Sequence, residues 1–540
     1  MITTLFKYFS FLPVLALGIA LLYSKYSPIK RSLFSLDNDL DMARSQKILW
    51  IITGSYLFIF GSMSCLRYLS YHSTIADLGF YENRIWQIAF NYRFEYLING
   101  HFSPIFLIHA CFYKVFPSAL TLLILQTVTI ALSSIPIYLI SVRNLRNNKL
   151  SLAVVVIFFL FPAVEYNNLF DFHPDHAFIP LILFCFYFLE TNRNGWFFFT
   201  AVLAMLIKEP YLLAVAALGL YTMIRHRWHK TGLCISLLSI MLFFAHVKII
   251  LPHYCGGINP VIEAQGGSYS YLGSGISGML KTLILSPLVV IKAFISLKKV
   301  LFVYVLLVPL LFIPMISPIP LACAIPPLAI QLLSAAPLHY AINNQYSASM
   351  VPFVFLSFIY GLKKLVHCNF MHQNLRKFRI LQKPEIIIVG VLIVSLYFNI
   401  MTGASPFSYL FWNYKKIINP HSLNNYLVSR HDKAIQHAVD VIPDGASVCA
   451  QNSVYASRMA KRDTFYVFPY KYETADYVVL DEKRLKYVGD GINASHYDTL
   501  LQEIPRTHTI IFQKDGIYLF RKKMLFPLTP GIESSTGAKF

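Results

Sequence analysis

Long apolar runs separated by short basic loops set the pattern of the first 401 residues. The runs fall at 5–23, 48–66, 119–141, 150–164, 177–190, 196–207, 211–224, 232–251, 300–316, 320–336, 347–362 and 385–401. A bilayer core of about 30 Å takes about 20 apolar residues per helix, and fewer where a helix is short or bent. The pattern predicts a polytopic all-α membrane bundle of about twelve transmembrane helices. Residues 1–23 hold one Lys and no small-residue cleavage site, so they read as a helix and not as a signal peptide. Residues 278–299 are apolar but contain Lys281, Lys292, Lys298 and Lys299, and read as an amphipathic helix on the interface. If they span instead, the parity downstream of them changes.

After residue 401 the long runs stop and charge becomes denser. His431–Val441 reads as a helix ended by Pro443-Asp444-Gly445. Residues 446–450, 464–468 and 477–480 read as strands. Residues 509–512 and 517–521 flank Lys514-Asp515-Gly516, a hairpin signal. The chain therefore divides into an N-terminal helix with a basic loop (1–47), a membrane domain (48–401) and a small α/β domain (405–540).

Composition excludes a water-soluble globular protein. Hydrophobic residues make up 56% of 540 and charged residues 13%, and mean hydropathy is +0.55. An average soluble domain carries about 25% charged residues. The net charge of +20 does not signal nucleic acid, because the basic residues sit in short loops between apolar runs. Loops 24–47, 143–149, 225–230 and 363–383 hold most of this bias. With twelve spans all four fall on one face, which the positive-inside rule makes cytoplasmic. The N-terminus and the α/β domain then lie outside the cytoplasm. The eight Cys show no metal or redox spacing.

Five polar clusters fall on the opposite, extracytoplasmic face of that topology. They are 76–86 with 101–104, Glu165 with 171–176, Lys208-Glu209-Pro210, the glycine-rich loop 252–277, and His339-Tyr340 with 343–346. Ionisable groups near a membrane are expensive and point to function. Asp77 can act as a general base on an acceptor hydroxyl, or as a helix N-cap before Leu78. Asp175 and His176, with His173, offer ligands for a divalent cation such as Mg or Mn; loop packing or phosphate contact is the alternative. Lys208 can neutralise a phosphate, or form a structural ion pair with Glu209. His101, His339 and Tyr340 can bind phosphate or sugar hydroxyls, or anchor helix ends at the interface.

The runs Ala76–Trp86, His101–Pro104, Asp171–His176, Lys208-Glu209 and His339-Tyr340 carry a resemblance, as do 446–452, 475–481 and 515–520 in the tail. Over roughly 48–525 the chain resembles the prokaryotic membrane proteins of domain of unknown function 2079, themselves similar to GT-C membrane glycosyltransferases. That resemblance implies a GT-C-like fold in a prokaryotic plasma (inner) membrane. It further implies a polyprenyl-phosphate sugar donor entering from the bilayer and Asp77 as the catalytic carboxylate. One departure bears on the metal: the family usually has a second acid after the Lys-Glu pair, where this chain has Pro210. A transporter or flippase of lipid-linked intermediates, or a non-catalytic scaffold, are the competing classes. No inverted repeat favours the transporter.

Overall fold

The structure, a computed structural model, describes residues 40–226, 228–254, 268–273, 275–367, 384–413, 421–487 and 494–523. The expected helix at 5–23, most of loop 363–383 and much of the glycine-rich loop lie outside them. The chain divides into two compact units. One contains Phe80–Val428 with the chain up to Ser73; the other contains Ser429–Phe540 and the short segment Thr74–Gly79.

The first unit is a helical bundle. Its helices in chain order begin with α1 (Met42–Leu69), α2 (Phe80–Asn91), α3 (Phe106–Val115), α4 (Ala119–Leu132) and α5 (Ser134–Leu145). They continue with α6 (Asn148–Phe159), α7 (Pro162–Leu169), α8 (Phe178–Glu190), α9 (Asn194–Met205), α10 (Glu209–Arg225) and α11 (His229–Ala245). After the undescribed loop come α12 (Gly275–Leu285), α13 (Pro287–Phe294), α14 (Leu297–Leu307), α15 (Ile325–Leu333), α16 (Val351–His367) and α17 (Pro384–Thr402). Each described apolar run is thus largely helical, but several helices are short. Among the described residues four are long and apolar enough to cross a bilayer: Met42–Leu69, Ala119–Leu145, His229–Tyr254 and Pro384–Thr402. Counting two bent pairs as single spans raises this to six. One of these pairs, Ser277–Leu285 with Pro287–Phe294, turns by 94° where a single amphipathic helix was expected. Pro287 opens the second limb, where its missing N–H costs nothing.

Exposed Trp50, Ile51 and Phe58 on α1 are the apolar surface a lipid-facing helix carries. Between α10 and α11 the contact is set by glycines. A methyl built on Gly219 would lie 2.6 Å from the Gly232 carbonyl oxygen, so only hydrogen fits at this crossing. Buried Glu165 ties α7 to the end of α17. It accepts from Asn399 Nδ2 at 2.6 Å and from the backbone N–H groups of Ala404 (2.9 Å) and Ser405 (3.2 Å).

The second unit is α/β. Helix α18 (Arg430–Asp440) starts with a capping box between Ser429 and Asp432. A five-stranded mixed sheet follows, from β3 (Val448–Ala450), β4 (Phe465–Val467), β5 (Tyr477–Asp481), β6 (His508–Lys514) and β7 (Ile517–Lys522), in the order β4-β3-β5-β7-β6. The pairs β3–β4 and β3–β5 are parallel; β5–β7 and β6–β7 are antiparallel. The β6–β7 turn places Asp515 at φ 54° and Gly516 at φ 81°, the left-handed pair a two-residue hairpin needs. Helix α19 (Ala494–Thr507) contributes Leu500 and Ile504 to the core, against Cys449, Val478 and Phe520. Segment Thr74–Gly79 belongs here because Asn452 holds it: its carbonyl accepts from Ile75 N–H (3.0 Å), and its side-chain oxygen from Ala76 N–H (2.8 Å).

Candidate functional site

At one end of the bundle a short hairpin, β1 (Ile98–Asn99) and β2 (His101–Phe102), turns through Gly100 at φ 74° and presents His101. Between α9 and α10 the chain runs extended through Lys208, and α10 begins at Glu209-Pro210, where the proline needs no hydrogen-bond donor. The run Asp171–His176 is held by Gln126 from α4. The Gln126 amide donates to the carbonyls of Asn167, Asn168 and Phe170, while its oxygen accepts from His173 N–H at 3.0 Å. Asp175 is thereby fixed just before α8.

These segments close around a pocket with about 600 Å³ of empty space. His101, Asp175, Lys208, His339 and Tyr346 line it, with Tyr211, Tyr269 and Gln331. Lys208 Nζ lies 2.8 Å from Asp175 Oδ1, and both side chains are almost fully buried. Tyr211 Oη donates to the same oxygen at 2.6 Å. Burial alone would raise the Asp175 carboxyl; Lys208, His173 and these hydrogen bonds outweigh it and hold it below the ordinary carboxylate value. The Glu209 carboxylate meets His101 Nδ1. So Lys208 and Glu209 do not pair with each other; each takes a partner distant in sequence. His339 is held below the ordinary imidazole value, by burial first and then by the charges of Lys208 and His101.

Two oxygens of pocket-lining residues, Asp175 Oδ2 and Gln331 Oε1, are buried and lack a hydrogen-bond partner among the described residues, as does Glu209 Oε2 beside His101. Unmatched acceptors cost free energy when buried, and a donor that reached them would recover part of that cost. The pocket thus offers an ammonium and imidazoles to an anion and free acceptors to hydroxyls.

Other expected residues stand elsewhere. His173 donates through Nδ1 to the Asp171 carbonyl (2.8 Å) and stacks edge-on with Tyr81. His176 is buried against His109 and Phe172 and does not line the pocket. Of the residues expected to hold a cation, Asp175 lines the pocket and His176 does not. Lys208 already occupies one Asp175 oxygen, and among the described residues no group of three or more His, Cys, Asp or Glu converges as a metal requires. Tyr340 lies under the Lys299 ammonium, 4.9 Å from ring centre to nitrogen, and does not line the pocket either. Asp77 belongs to the second unit, where Thr74 Oγ1 donates to its carboxylate at 3.3 Å.

The sequence reading missed Tyr211, Tyr269 and Gln331. Gln331 did leave a signal, as an amide inside the apolar run 320–336. Tyr211 stands in the first turn of α10, three residues after Lys208, and the Lys208 ammonium lies 5.9 Å from its ring centre.

Two solved structures align over most of the chain. ArnT from Cupriavidus metallidurans bound to undecaprenyl phosphate is similar at 10% identity and TM-score 0.46, covering 88% of this chain and 97% of that one. The apo form of the same ArnT gives 10% identity and TM-score 0.44, covering 89% and 98%. No curated protein matches the sequence. The family profile described as predicted membrane protein (DUF2079) matches residues 67–519, and the chain belongs to that family.

Proposed function

We propose that this membrane protein is a glycosyltransferase that moves a hexosyl or pentosyl group from a polyprenyl-phosphate donor to an extracytoplasmic acceptor. The observation that carries the reading is the buried Lys208–Asp175 pair facing a pocket that also holds unmatched acceptors. A sugar phosphate is the ligand class that asks for both. Lys208, held in place by Asp175, has two further N–H donors for phosphate oxygens. A phosphate beside His339 favours its charged form and gains a donor, and the His101 ring stands beside it. The sugar hydroxyls meet Asp175 Oδ2 and Gln331 Oε1. Neutralising the phosphate stabilises it as leaving group when the anomeric C–O bond breaks.

The acceptor hydroxyl must lose a proton as it attacks. On the family resemblance, Asp77 is the proposed base. The prenyl chain of the donor would remain among the apolar helices, in a prokaryotic inner membrane with the α/β unit outside the cytoplasm.

The test is a donor assay in vesicles carrying purified full-length protein and a radiolabelled polyprenyl-phosphate sugar. Release of the prenyl phosphate is followed with and without acceptor extract. Lys208→Gln and Gln331→Leu should weaken donor binding, and Asp77→Asn should slow turnover with binding intact. Donor binding that is unchanged in Lys208→Gln would overturn the reading.

A further inference from the structure

A second and larger cavity opens at the other end of the same helices. Helix α10 begins beside the first pocket and ends at Arg225 in the second. Its 17 residues put the two about 25 Å apart. Helices α8 and α16 make the same passage. Asp175 and Ser349 precede them at the first pocket; Glu190, Lys363 and Lys364 lie at their far ends. The second cavity holds about 2270 Å³ of empty space.

Its wall is built, not merely charged. Glu190 Oε1 accepts from Tyr360 Oη at 2.6 Å and from Asn144 Nδ2 at 2.9 Å, and Arg143 Nε lies 3.6 Å from Oε2. Lys363 Nζ donates to Asn144 Oδ1 at 2.9 Å, and Lys364 Nζ to the Ile316 carbonyl at 3.0 Å. Arg146 and Arg225 add to the basic lining, and Glu190 is the single carboxylate in it among the described residues.

Charge decides what such a wall can hold. Among the described residues, five Arg and Lys against one Glu leave a formal surplus of four positive charges. The C-terminal ends of α5, α8, α10 and α16 converge here, and each contributes about half a negative charge, so about two are offset. A surplus of about two remains, which matches a phosphate monoester at about −1.5 to −2. Ordinary positive-inside bias explains basic loops, but not their convergence around one hydrogen-bonded carboxylate. Part of the remaining wall is apolar: Ile316, Ile319 and Pro320 line it, with both isoleucines exposed, beside the polar Ser317, Tyr221 and His226.

We infer that this cavity binds the phosphate headgroup of a membrane lipid, with the lipid chain along the isoleucine wall. The site is separate from the first pocket and does not depend on transferase activity. Lipid binding here needs no turnover to be seen.

The experiment uses the purified full chain in nanodiscs of zwitterionic lipid containing a small fraction of fluorescent phosphatidic acid, with binding read by energy transfer from a label on the protein. Each basic side chain near a membrane surface contributes about fivefold in affinity. Arg225→Gln with Lys364→Gln should therefore weaken binding about 25-fold. Arg193, exposed in the turn just after Glu190 but outside the cavity lining, is the control; Arg193→Gln should change affinity less than twofold. Glu190→Gln keeps the shape of the network and removes its one negative charge, so it should tighten binding about fivefold. It decides the matter if the double variant fails to fold. Equal losses in the double variant and in Arg193→Gln, or no gain in Glu190→Gln, would overturn the site. Displacement of the lipid by inorganic phosphate at equal concentration would overturn the lipid assignment in favour of a soluble phosphate.

Discussion

Replacing Lys208 with Met isolates what the buried ion pair does. In the wild type the ammonium sits 2.8 Å from Asp175, with both side chains shielded from water. Removing it leaves a buried carboxylate whose remaining donor among the described residues is Tyr211, at 2.6 Å. Breaking a buried pair from one side typically costs about 3–5 kcal/mol. The carboxylate has one escape, which is to take up a proton. From an unfolded pKa of about 3.9, protonation at pH 7 costs about 1.36 kcal/mol for each of about three units, or about 4 kcal/mol. That figure caps the penalty at pH 7, and at pH 5 the cap falls to about 1.5 kcal/mol. Lys208→Met should therefore destabilise by about 3–4 kcal/mol at pH 7 and by about 1–1.5 kcal/mol at pH 5. Lys208→Met with Asp175→Asn removes both charges and should fall within about 1 kcal/mol of wild type. Equilibrium unfolding in mixed micelles, followed by tryptophan fluorescence, measures all three. A Lys208→Met penalty that does not change with pH, or a double variant as unstable as the single one, would refute the buried-pair argument. The double variant also separates stability from function, since it should fold yet fail to bind a labelled prenyl phosphate.

Other outcomes follow from particular contacts. Glu165→Ala strands the Asn399 amide and the Ala404 and Ser405 N–H groups, and should cost about 3 kcal/mol or more in the same assay, while Glu165→Gln should cost less. Gly219→Leu forces α10 from α11 and should abolish the folded peak in gel filtration, because its Cβ meets the Gly232 carbonyl oxygen at 2.6 Å and the Ser236 backbone nitrogen at 2.8 Å as well as the Ser236 hydroxyl. Asp77→Asn should lower turnover by about 10²–10⁴ with an unchanged unfolding midpoint if it is the base; near-normal turnover would remove it from that role. His508 in β6 is buried, which lowers its pKa, and its Nε2 donates to the Ala475 carbonyl at 2.9 Å. A lowered folded pKa gives stability that is complete above the unfolded value of about 6.5 and is lost as pH falls through the folded value. The protection factors of the β6 amides, which are the intrinsic base-catalysed rate at each pH divided by the observed exchange rate, should therefore fall between pH 7 and pH 5, and His508→Gln should flatten that dependence.

Much of this protein was legible from local pattern. Apolar runs marked helices because a bilayer imposes length and apolarity on every span, though the bends after Phe159 and Leu285 were not visible as such. The hairpin at Asp515-Gly516 was legible because its left-handed backbone admits few residue types. Lys208 and Asp175 were singled out because charge beside a membrane is costly, and that rule needs no partner to be known.

Partnership was decided only by the tertiary structure. Lys208 meets Asp175 rather than its neighbour Glu209, and Glu209 meets His101 from 108 residues away. His176, adjacent to Asp175 in sequence, turns into packing against His109. Adjacent residues at a helix start point in different directions, so proximity in sequence does not predict contact there. The convergence of Arg143, Arg225, Lys363 and Glu190 likewise depends on where four helices end together. Sequence by itself determined that the chain is a membrane protein and which residues carry costly charge, since both follow from transfer free energies of single residues and runs. Which charges share a pocket is a property of packing between helices distant in the chain, and only the folded bundle sets it.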